Sequence, residues 1–120
     1  MSEQNITSEP LTPSGVSELA ASEEIELIDV REPHEFEAGH IAGARNIELN
    51  ALSERAGEID RARKVVFYCR TGSRSGMATE AFAQAGYDAH NMEGGLVEWV
   101  EAELPLEPAG GSVAESLPPS

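Results

Sequence analysis

The sequence predicts an α/β fold in which a parallel β-sheet carries helices on both faces. Strand-like and helix-like segments alternate along the 120-residue chain, which is the pattern of α/β proteins. The segments 25–30 and 64–69 are mostly apolar, as expected of strands that are covered on both faces. No hairpin turn signal joins consecutive strands. A chain of this length holds one domain with one core.

The first half of the chain contains signals for two helices and two extended segments. Pro and Ser precede an apolar pattern at 13–21 and predict a short helix there. The segment IELIDV, residues 25–30, predicts a buried strand. Pro33 opens a helix of one or two turns that ends at Gly39. The segment ARNIEL, residues 44–49, predicts a short extended piece.

The second half repeats the alternation. Asn50 is a good N-cap and predicts a helix over residues 50–60. The segment KVVFYC, residues 64–69, is β-branched and aromatic, which makes it the clearest strand in the chain. After the next helix, YDAHNM at 87–92 predicts a last short strand, and GLVEWVEAE at 95–103 predicts a last helix.

The helix that follows the central strand has a predicted apolar face. It begins near Arg74 and stops at Gly86, which can adopt the conformation that ends a helix. The spacing of apolar residues predicts which side packs on the sheet. The residues assigned to that side are Met77, Ala78, Ala81, Phe82 and Ala85.

Both ends of the chain are predicted to be disordered. Residues 1–10 are polar, and residues 107–120 are rich in Pro, Gly and Ser. Segments with few large apolar groups cannot offset the entropy lost on ordering. The predicted domain therefore covers residues 11–106.

The charge balance is strongly acidic. Asp and Glu number 22 against 8 Lys and Arg, and the formal net charge is −14. This charge argues against binding to nucleic acid or to an anionic membrane. Lys64 is the one lysine beside seven arginines. Two interpretations remain open for this surface: adaptation to high salt, and ordinary charge for solubility.

The chain is predicted to be cytoplasmic. Its single cysteine cannot form an internal disulfide. The N-terminal residues lack the basic-then-apolar order of a secretory signal. No stretch approaches the ~18 apolar residues of a membrane span.

The segment YCRTGSRSG, residues 68–76, carries the strongest chemical signal. Cys69 ends the central strand, and ligands of parallel α/β sheets bind at the carboxyl ends of strands. The N–H groups of a glycine-containing loop before a helix form a cradle for anions. Arg70 and Arg74 add positive charge. We therefore expect Cys69 to be held as a thiolate, with its pKa below the ~8.5 of a free cysteine.

The alternative is that Cys69 is a small buried hydrophobic residue at the end of a strand. The neighbouring residues favour the reactive thiolate. An arginine directly after a buried strand is costly unless it meets an opposite charge. Gly72 allows backbone geometry that other residues resist. Hydroxyl groups follow in the same loop, at Thr71, Ser73 and Ser75.

Three blocks of the sequence together resemble the rhodanese family of single-domain sulfurtransferases. They are LIDVREPHEFEAGHIAGARNI at 27–47, VVFYCRTGSRS at 65–75 and NMEGGLVEWVEAELP at 91–105. The resemblance implies the rhodanese fold, with about five parallel strands flanked by helices. It also implies that Cys69 accepts a sulfane sulfur as a persulfide. The implied substrate cradle consists of Arg70, Thr71, Gly72, Ser73 and Arg74.

The resemblance also implies the partners of the reaction. Thiosulfate or another sulfane-sulfur donor would load Cys69, and cyanide or a thiol would accept the sulfur. The intermediate is covalent, so neither a metal nor an organic cofactor is expected. The chain has no second cysteine to resolve the persulfide. The acceptor must therefore come from outside, and a sulfur-relay protein is an expected partner.

The first block is expected to support the site. Asp29 ends its strand at the same sheet edge as Cys69 and is predicted to hold a loop arginine or loop N–H groups, while Arg31 pairs with an acidic neighbour. Some two-domain rhodaneses have a substrate-binding arginine where this chain has Glu35. This departure leaves anion binding to the catalytic loop. His40 is expected to be structural, since the histidine spacing is not a metal-ligand pattern.

Two rival functions are carried forward. Some phosphatases and arsenate reductases share this fold, but their loops place five residues between Cys and Arg. Here four residues separate Cys69 from Arg74, and the smaller ring suits a sulfur atom better than a phosphate. The second rival is a docking module, because many rhodanese-like domains have lost the cysteine. The intact Cys69 argues against it.

Overall fold

The computed structural model describes residues 10–22 and 24–113. Within them, four strands form one parallel sheet in the order β2-β1-β3-β4. The strands are β1 (Ile25–Asp29), β2 (Arg45–Asn46), β3 (Lys64–Tyr68) and β4 (Asp88–Asn91). The α-helices are α1 (Pro13–Ala21), α2 (Pro33–Ala38), α3 (Ser73–Gln84) and α4 (Gly95–Glu101). None of the helices in the described ranges has the length and apolar character needed to cross a bilayer.

The predicted α/β architecture with a parallel sheet is confirmed. About five strands were expected, and the described part of the chain contains four. Beside β4, Leu11 forms a single parallel bridge with Met92. Its N–H donates to the Asn91 carbonyl over 2.9 Å. Pro13 then starts α1 and has no N–H to extend the ladder, so this edge position holds a bridge rather than a strand.

The alternation of side chains along β3 divides the core into two layers. Val65, Phe67 and then Cys69 point to one face of the sheet, where they pack with residues of α3 such as Phe82. The intervening side chains, at positions 66 and 68, point to the other face, which α1 and α4 cover. Successive residues of a strand face opposite sides. This parity aims the side chain of Cys69 toward α3.

The buried face of α3 differs from the predicted one. The buried positions are Ser75, Ala78, Thr79 and Phe82, which follow the i, i+3, i+4, i+7 spacing of one helix side. The prediction was wrong for Met77, which is 59% exposed, and for Ala81 and Ala85, which are exposed. The inward side therefore combines the predicted apolar residues Ala78 and Phe82 with polar Ser75, which lies against Cys69.

The helix predicted over residues 50–60 is also wrong. The segment forms two short 3₁₀ turns, Leu49–Ala51 and Ala56–Glu58. Gly57 lies in the second turn, and glycine is a poor helix former. Leu52 and Ile59 are buried against the α3 side of the core, so the segment covers the sheet without a regular helix.

Residues 107–113 pack against the segment after α2. Glu107 exchanges two backbone hydrogen bonds with His40, of 2.7 and 2.9 Å. The Ser112 N–H donates to the Ala38 carbonyl over 2.9 Å. These contacts extend beyond the domain boundary predicted at residue 106. Disorder was predicted for residues 1–10 and 107–120; of these, residues 1–9 and 114–120 lie outside the described residues.

We predict that Glu103→Gly stabilises the protein by about 0.5 to 1 kcal/mol. Glu103 follows α4 with φ of 64°, a left-handed conformation in which the Cβ atom is unfavourable. The measurement is chemical denaturation. Glu101→Gly, inside α4, is the matched control and should destabilise by about 0.5 to 1 kcal/mol. Destabilisation by both variants would show that Glu103 carries no backbone strain.

Candidate active site

Three strand ends converge at one edge of the sheet. In the register, Asp29 of β1 lies beside Tyr68 of β3, and Phe67 lies beside Asn91 of β4. Cys69 comes directly after β3 and therefore leaves the sheet between the ends of its two neighbours. All strands are parallel, so their carboxyl ends meet on this side. The predicted position of Cys69 at the end of a central strand matches the structure.

The Cys69 sulfur lies within a ring of hydrogen-bond donors. The N–H groups of Gly72 and Ser75 donate to Sγ over 3.1 and 3.4 Å. The Ser75 hydroxyl lies 3.3 Å from the same atom. Gly72 has φ of 106°, a left-handed conformation that lets the chain fold around Sγ. The loop and the first turn of α3 thus wrap the sulfur in polar hydrogens.

These donors lower the pKa of the Cys69 thiol below its ordinary value. Burial alone would raise it, because a charged sulfur is costly away from water. Hydrogen bonds from Ser75, and then from the N–H groups of Gly72 and Thr71, stabilise the thiolate and outweigh burial. The sequence argument relied mainly on arginines. In the structure, amide and hydroxyl donors are the principal cause.

Arg74 is bound by a carboxylate. Its Nη1 and Nη2 donate to Oε1 and Oε2 of Glu35 over 2.9 and 3.1 Å, and Glu35 is fully buried. Burial would raise the pKa of Glu35, but the bond to Arg74 and the Glu32 N–H lower it overall. The sequence identified Glu35 only as a lost substrate-binding position. The structure instead shows that Glu35 orients the loop arginine.

Within the described part of the chain, the Asp29 side chain binds Arg31, whereas the sequence had suggested that it holds the loop after Cys69. Its carboxylate binds Arg31, with Nε at 2.9 and 3.1 Å and Nη2 at 2.7 Å. Arg31 Nη2 also donates to the Gly39 carbonyl over 2.8 Å. Both side chains are fully buried. The expected pairing of Arg31 with an acidic neighbour is therefore present, and the pair ties the end of β1 to the segment after α2.

The loop backbone is held from below by α4. The N–H groups of Leu96 and Val97 donate to the carbonyls of Cys69 and Arg70 over 2.9 and 3.0 Å. Gly95 has φ of 63°, and a Cβ atom there would lie 2.5 Å from the Arg70 carbonyl oxygen. Close approach of α4 to the loop therefore requires glycine. The paired glycines of the third sequence block were the available signal for this contact.

Asn91 joins two members of the ring around the sulfur. Its Nδ2 donates to the Gly72 carbonyl over 3.2 Å, and its Oδ1 lies 2.6 Å from the Ser75 hydroxyl. Sequence reasoning placed this residue in the third block without a role. Its position as the last residue of β4, beside the end of β3, could have indicated that it reaches the loop.

The remaining predicted site residues of the loop are at least partly exposed. Thr71 and Ser73 are exposed, and Arg70 is half-buried. Thr71 contributes through its N–H group. Cys69 itself has no solvent-accessible surface. In this conformation the ring of donors encloses the sulfur, while the hydroxyls of the outer loop face solvent.

His40 makes contacts that are typical of a structural residue. Its ring stacks on Phe36 with centroids 3.8 Å apart, and its Nδ1 lies 2.8 Å from the Phe36 carbonyl oxygen. The His40 backbone also pairs with Glu107. These contacts agree with the structural role that the sequence predicted for His40.

The chain belongs to the rhodanese-like domain family, whose model matches residues 12–102. The predicted family is therefore confirmed. A rhodanese-related protein from Thermoplasma volcanium superposes with a TM-score of 0.77 at 31% identity, covering 82% of this chain and 96% of that one.

Two relatives bear on the activity. A protein named Sulfurtransferase from Allochromatium vinosum is 37% identical over 73% of this chain and 83% of its own length. YqhL of Bacillus subtilis, described as uncharacterized, is 47% identical over 62% of this chain, and the match spans 60% of its length. The family match and the sulfurtransferase relative support sulfurtransferase as the general class.

We predict that alkylation of Cys69 retains its rate at lower pH than alkylation of an ordinary thiol. Hydrogen bonds from the loop lower the pKa of Cys69, so the thiolate fraction falls only as pH drops through that lowered value. The measurement is the iodoacetamide rate constant against pH. The same chain unfolded in urea is the control and should show an inflection near ~8.5. An inflection at that value in the folded protein would contradict the prediction.

We predict that Glu35→Gln lowers the free energy of unfolding by about 2 kcal/mol. The change leaves Arg74 without its buried carboxylate. Since the pKa of Glu35 is lowered in the folded state, wild type should lose this advantage as pH falls through that lowered value. Glu58→Gln, which breaks the exposed pair with Arg55, is the control and should have no measurable effect. Equal losses of unfolding free energy in the two variants would show that the buried Glu35–Arg74 pair stabilises the fold no more than an exposed pair does.

Proposed function

We propose that this protein is a sulfurtransferase that carries a sulfane sulfur as a persulfide on Cys69. The observation that carries the proposal is the ring of donors around Sγ, which comprises N–H groups of the loop and of α3. Such a ring stabilises an anionic sulfur without a titratable base beside it. The same ring suits the negative charge of the outer sulfur in a persulfide.

Loading is a displacement at sulfur. The Cys69 thiolate attacks the outer sulfur of thiosulfate or of another sulfane-sulfur donor. A new bond forms between Sγ and that sulfur, and the bond from that sulfur to the leaving group breaks. With thiosulfate, sulfite leaves with the electron pair. Arg70, which is half-buried at the rim of the loop, is the guanidinium we assign to the departing anion.

Unloading is the reverse type of displacement. Cyanide or an acceptor thiolate attacks the outer sulfur, and the Cys69 thiolate leaves. Thiocyanate or a persulfide of the acceptor is the product. Cys69 is the only cysteine of the chain, so an internal disulfide cannot release the sulfur. We therefore assign the acceptor to another molecule, and a sulfur-relay protein is one class of partner.

Access to the sulfur requires the loop to open. Cys69 has no solvent-accessible surface, whereas Thr71 and Ser73 in the same loop are exposed. Displacement of this outer part of the loop would admit a donor while the Ser75 N–H keeps its hydrogen bond to Sγ. A narrow entry of this kind favours donors that present a terminal sulfur atom.

The phosphatase alternative is disfavoured by the state of Arg74. A phosphate dianion in a Cys-to-Arg loop is bound by both nitrogens of the arginine fork. Here both nitrogens bind Glu35, and only four residues separate Cys69 from Arg74. A phosphate would have to displace a buried carboxylate and fit a smaller ring. Sulfur transfer requires neither displacement of the Glu35 carboxylate nor a ring large enough for phosphate.

We predict that thiosulfate adds one sulfur atom to the purified protein. Intact-mass spectrometry should show a gain of about 32 Da, because one sulfur joins the thiolate that the loop stabilises. Cyanide should remove the added mass and release thiocyanate. Cys69→Ser should show neither change.

Two results would overturn the proposed function. One is hydrolysis of an aryl phosphate with no sulfur loading, which would favour a phosphatase. The other is a folded protein with an alkylatable Cys69 that accepts no sulfur from thiosulfate, polysulfide or a persulfide. Ser53→Ala, which changes an exposed hydroxyl outside the loop, is the matched control and should load as wild type does.

A further inference from the structure

The Ser75 hydroxyl has two acceptors and one proton. Its oxygen lies 3.3 Å from Cys69 Sγ and 2.6 Å from Asn91 Oδ1. A hydroxyl group donates a single hydrogen bond and accepts others through its lone pairs. It therefore cannot donate to both neighbours at once. The position of this proton decides whether Ser75 stabilises the thiol or the thiolate.

The orientation of the Asn91 amide is set by the loop. Its nitrogen lies 3.2 Å from the Gly72 carbonyl oxygen, which is only an acceptor, so the amide must present Nδ2 there. The oxygen Oδ1 then faces Ser75. Two oxygens 2.6 Å apart, one of them an amide carbonyl, require a proton between them. That proton is the hydroxyl proton of Ser75.

We propose that Asn91 is a positioning residue that competes with the Cys69 thiolate for the Ser75 proton. In the thiol form, the proton of Ser75 lies on the Asn91 side, and the Ser75 oxygen accepts the S–H of Cys69. On ionisation the hydroxyl turns toward Sγ and gives up its bond to Asn91. No covalent bond changes at Ser75 or Asn91 in this step, and the thiol proton passes to solvent.

This competition makes the thiolate harder to form than the ring alone would allow. The N–H groups of Gly72 and Ser75 keep their bonds to Sγ in both forms, whereas the hydroxyl must exchange one partner for another. Arg74 on α3 interacts electrostatically with Cys69, with Glu35 of α2 and with Asp29 at the end of β1. Arg70 directly follows Cys69 in the loop. Within the described residues, the Ser75 hydroxyl has its hydrogen bonds with Sγ and the Asn91 amide.

The experiment is a double-mutant cycle with Asn91→Leu, Ser75→Ala and the double variant. The readout is the Cys69 pKa from the pH dependence of iodoacetamide alkylation, which does not depend on sulfurtransferase activity. In the chain that keeps Ser75, Asn91→Leu removes the competing acceptor. It should lower the pKa of Cys69 by about half a unit or more, which is about a threefold faster reaction at pH below the pKa.

The cycle separates competition from loosening of the loop. Asn91→Leu also loses the bond to the Gly72 carbonyl, and this loss acts equally with and without the Ser75 hydroxyl. The difference between the two backgrounds therefore isolates the shared proton. The proposal expects Asn91→Leu to lower the pKa more when Ser75 is present than in the Ser75→Ala background. An equal or opposite effect overturns it.

Two additions keep the test decisive. Thr79→Val removes a hydroxyl that bonds the Ser75 carbonyl over 2.8 Å without reaching the sulfur, so it should leave the pKa unchanged. If Asn91→Leu does not give the native circular dichroism spectrum, the cycle is repeated with Asn91→Ala. A fixed hydroxyl that always donates to Sγ predicts that neither Asn91 variant lowers the pKa.

Discussion

The hydrogen bonds to one sulfur atom explain most of the architecture around it. The N–H groups of Gly72 and Ser75 point at Sγ because α3 starts immediately after the loop. That geometry requires β3 to end just before Cys69, whose carbonyl accepts a hydrogen bond from the Leu96 N–H of α4. Stabilisation of a buried anion by fixed amides costs no side-chain ordering at the moment of reaction. These parts of the fold together hold the ring of hydrogen-bond donors around Cys69 Sγ in place.

The charged side chains near the sulfur orient the site more than they add positive charge to it. Arg74, at the start of α3, is bound to buried Glu35, and Arg31, which follows β1, is bound to buried Asp29. Breaking either pair would leave a poorly solvated charge, which is why such pairs hold geometry more than they add field strength. The first block of the sequence therefore acts on the site through orientation, and the thiolate is stabilised largely by the Ser75 hydroxyl and the peptide N–H groups.

Features set by neighbouring residues in the sequence could largely be predicted, whereas features set by contacts between distant residues could not. Apart from the helix predicted over residues 50–60, the order of strands and helices follows from short-range patterns, as do the place of Cys69 after β3 and the helix stop near Gly86, and the structure agrees with them. The inward side of α3 was predicted correctly at Ala78 and Phe82, but apolar spacing could not show that polar Ser75 and Thr79 are buried beside them. The roles of Glu35 and Asn91 arise from contacts 39 and 16 residues apart in sequence. No pattern within one segment specifies them.

The lack of solvent-accessible surface at Cys69 would also affect the lifetime of the proposed persulfide. A persulfide in open water is readily lost to oxidants and stray thiols. Behind a closed loop it would meet neither, so the lifetime of the charged carrier would be set by the frequency of opening rather than by its intrinsic reactivity. An acceptor that itself displaces Thr71 and Ser73 would then control when the sulfur is transferred.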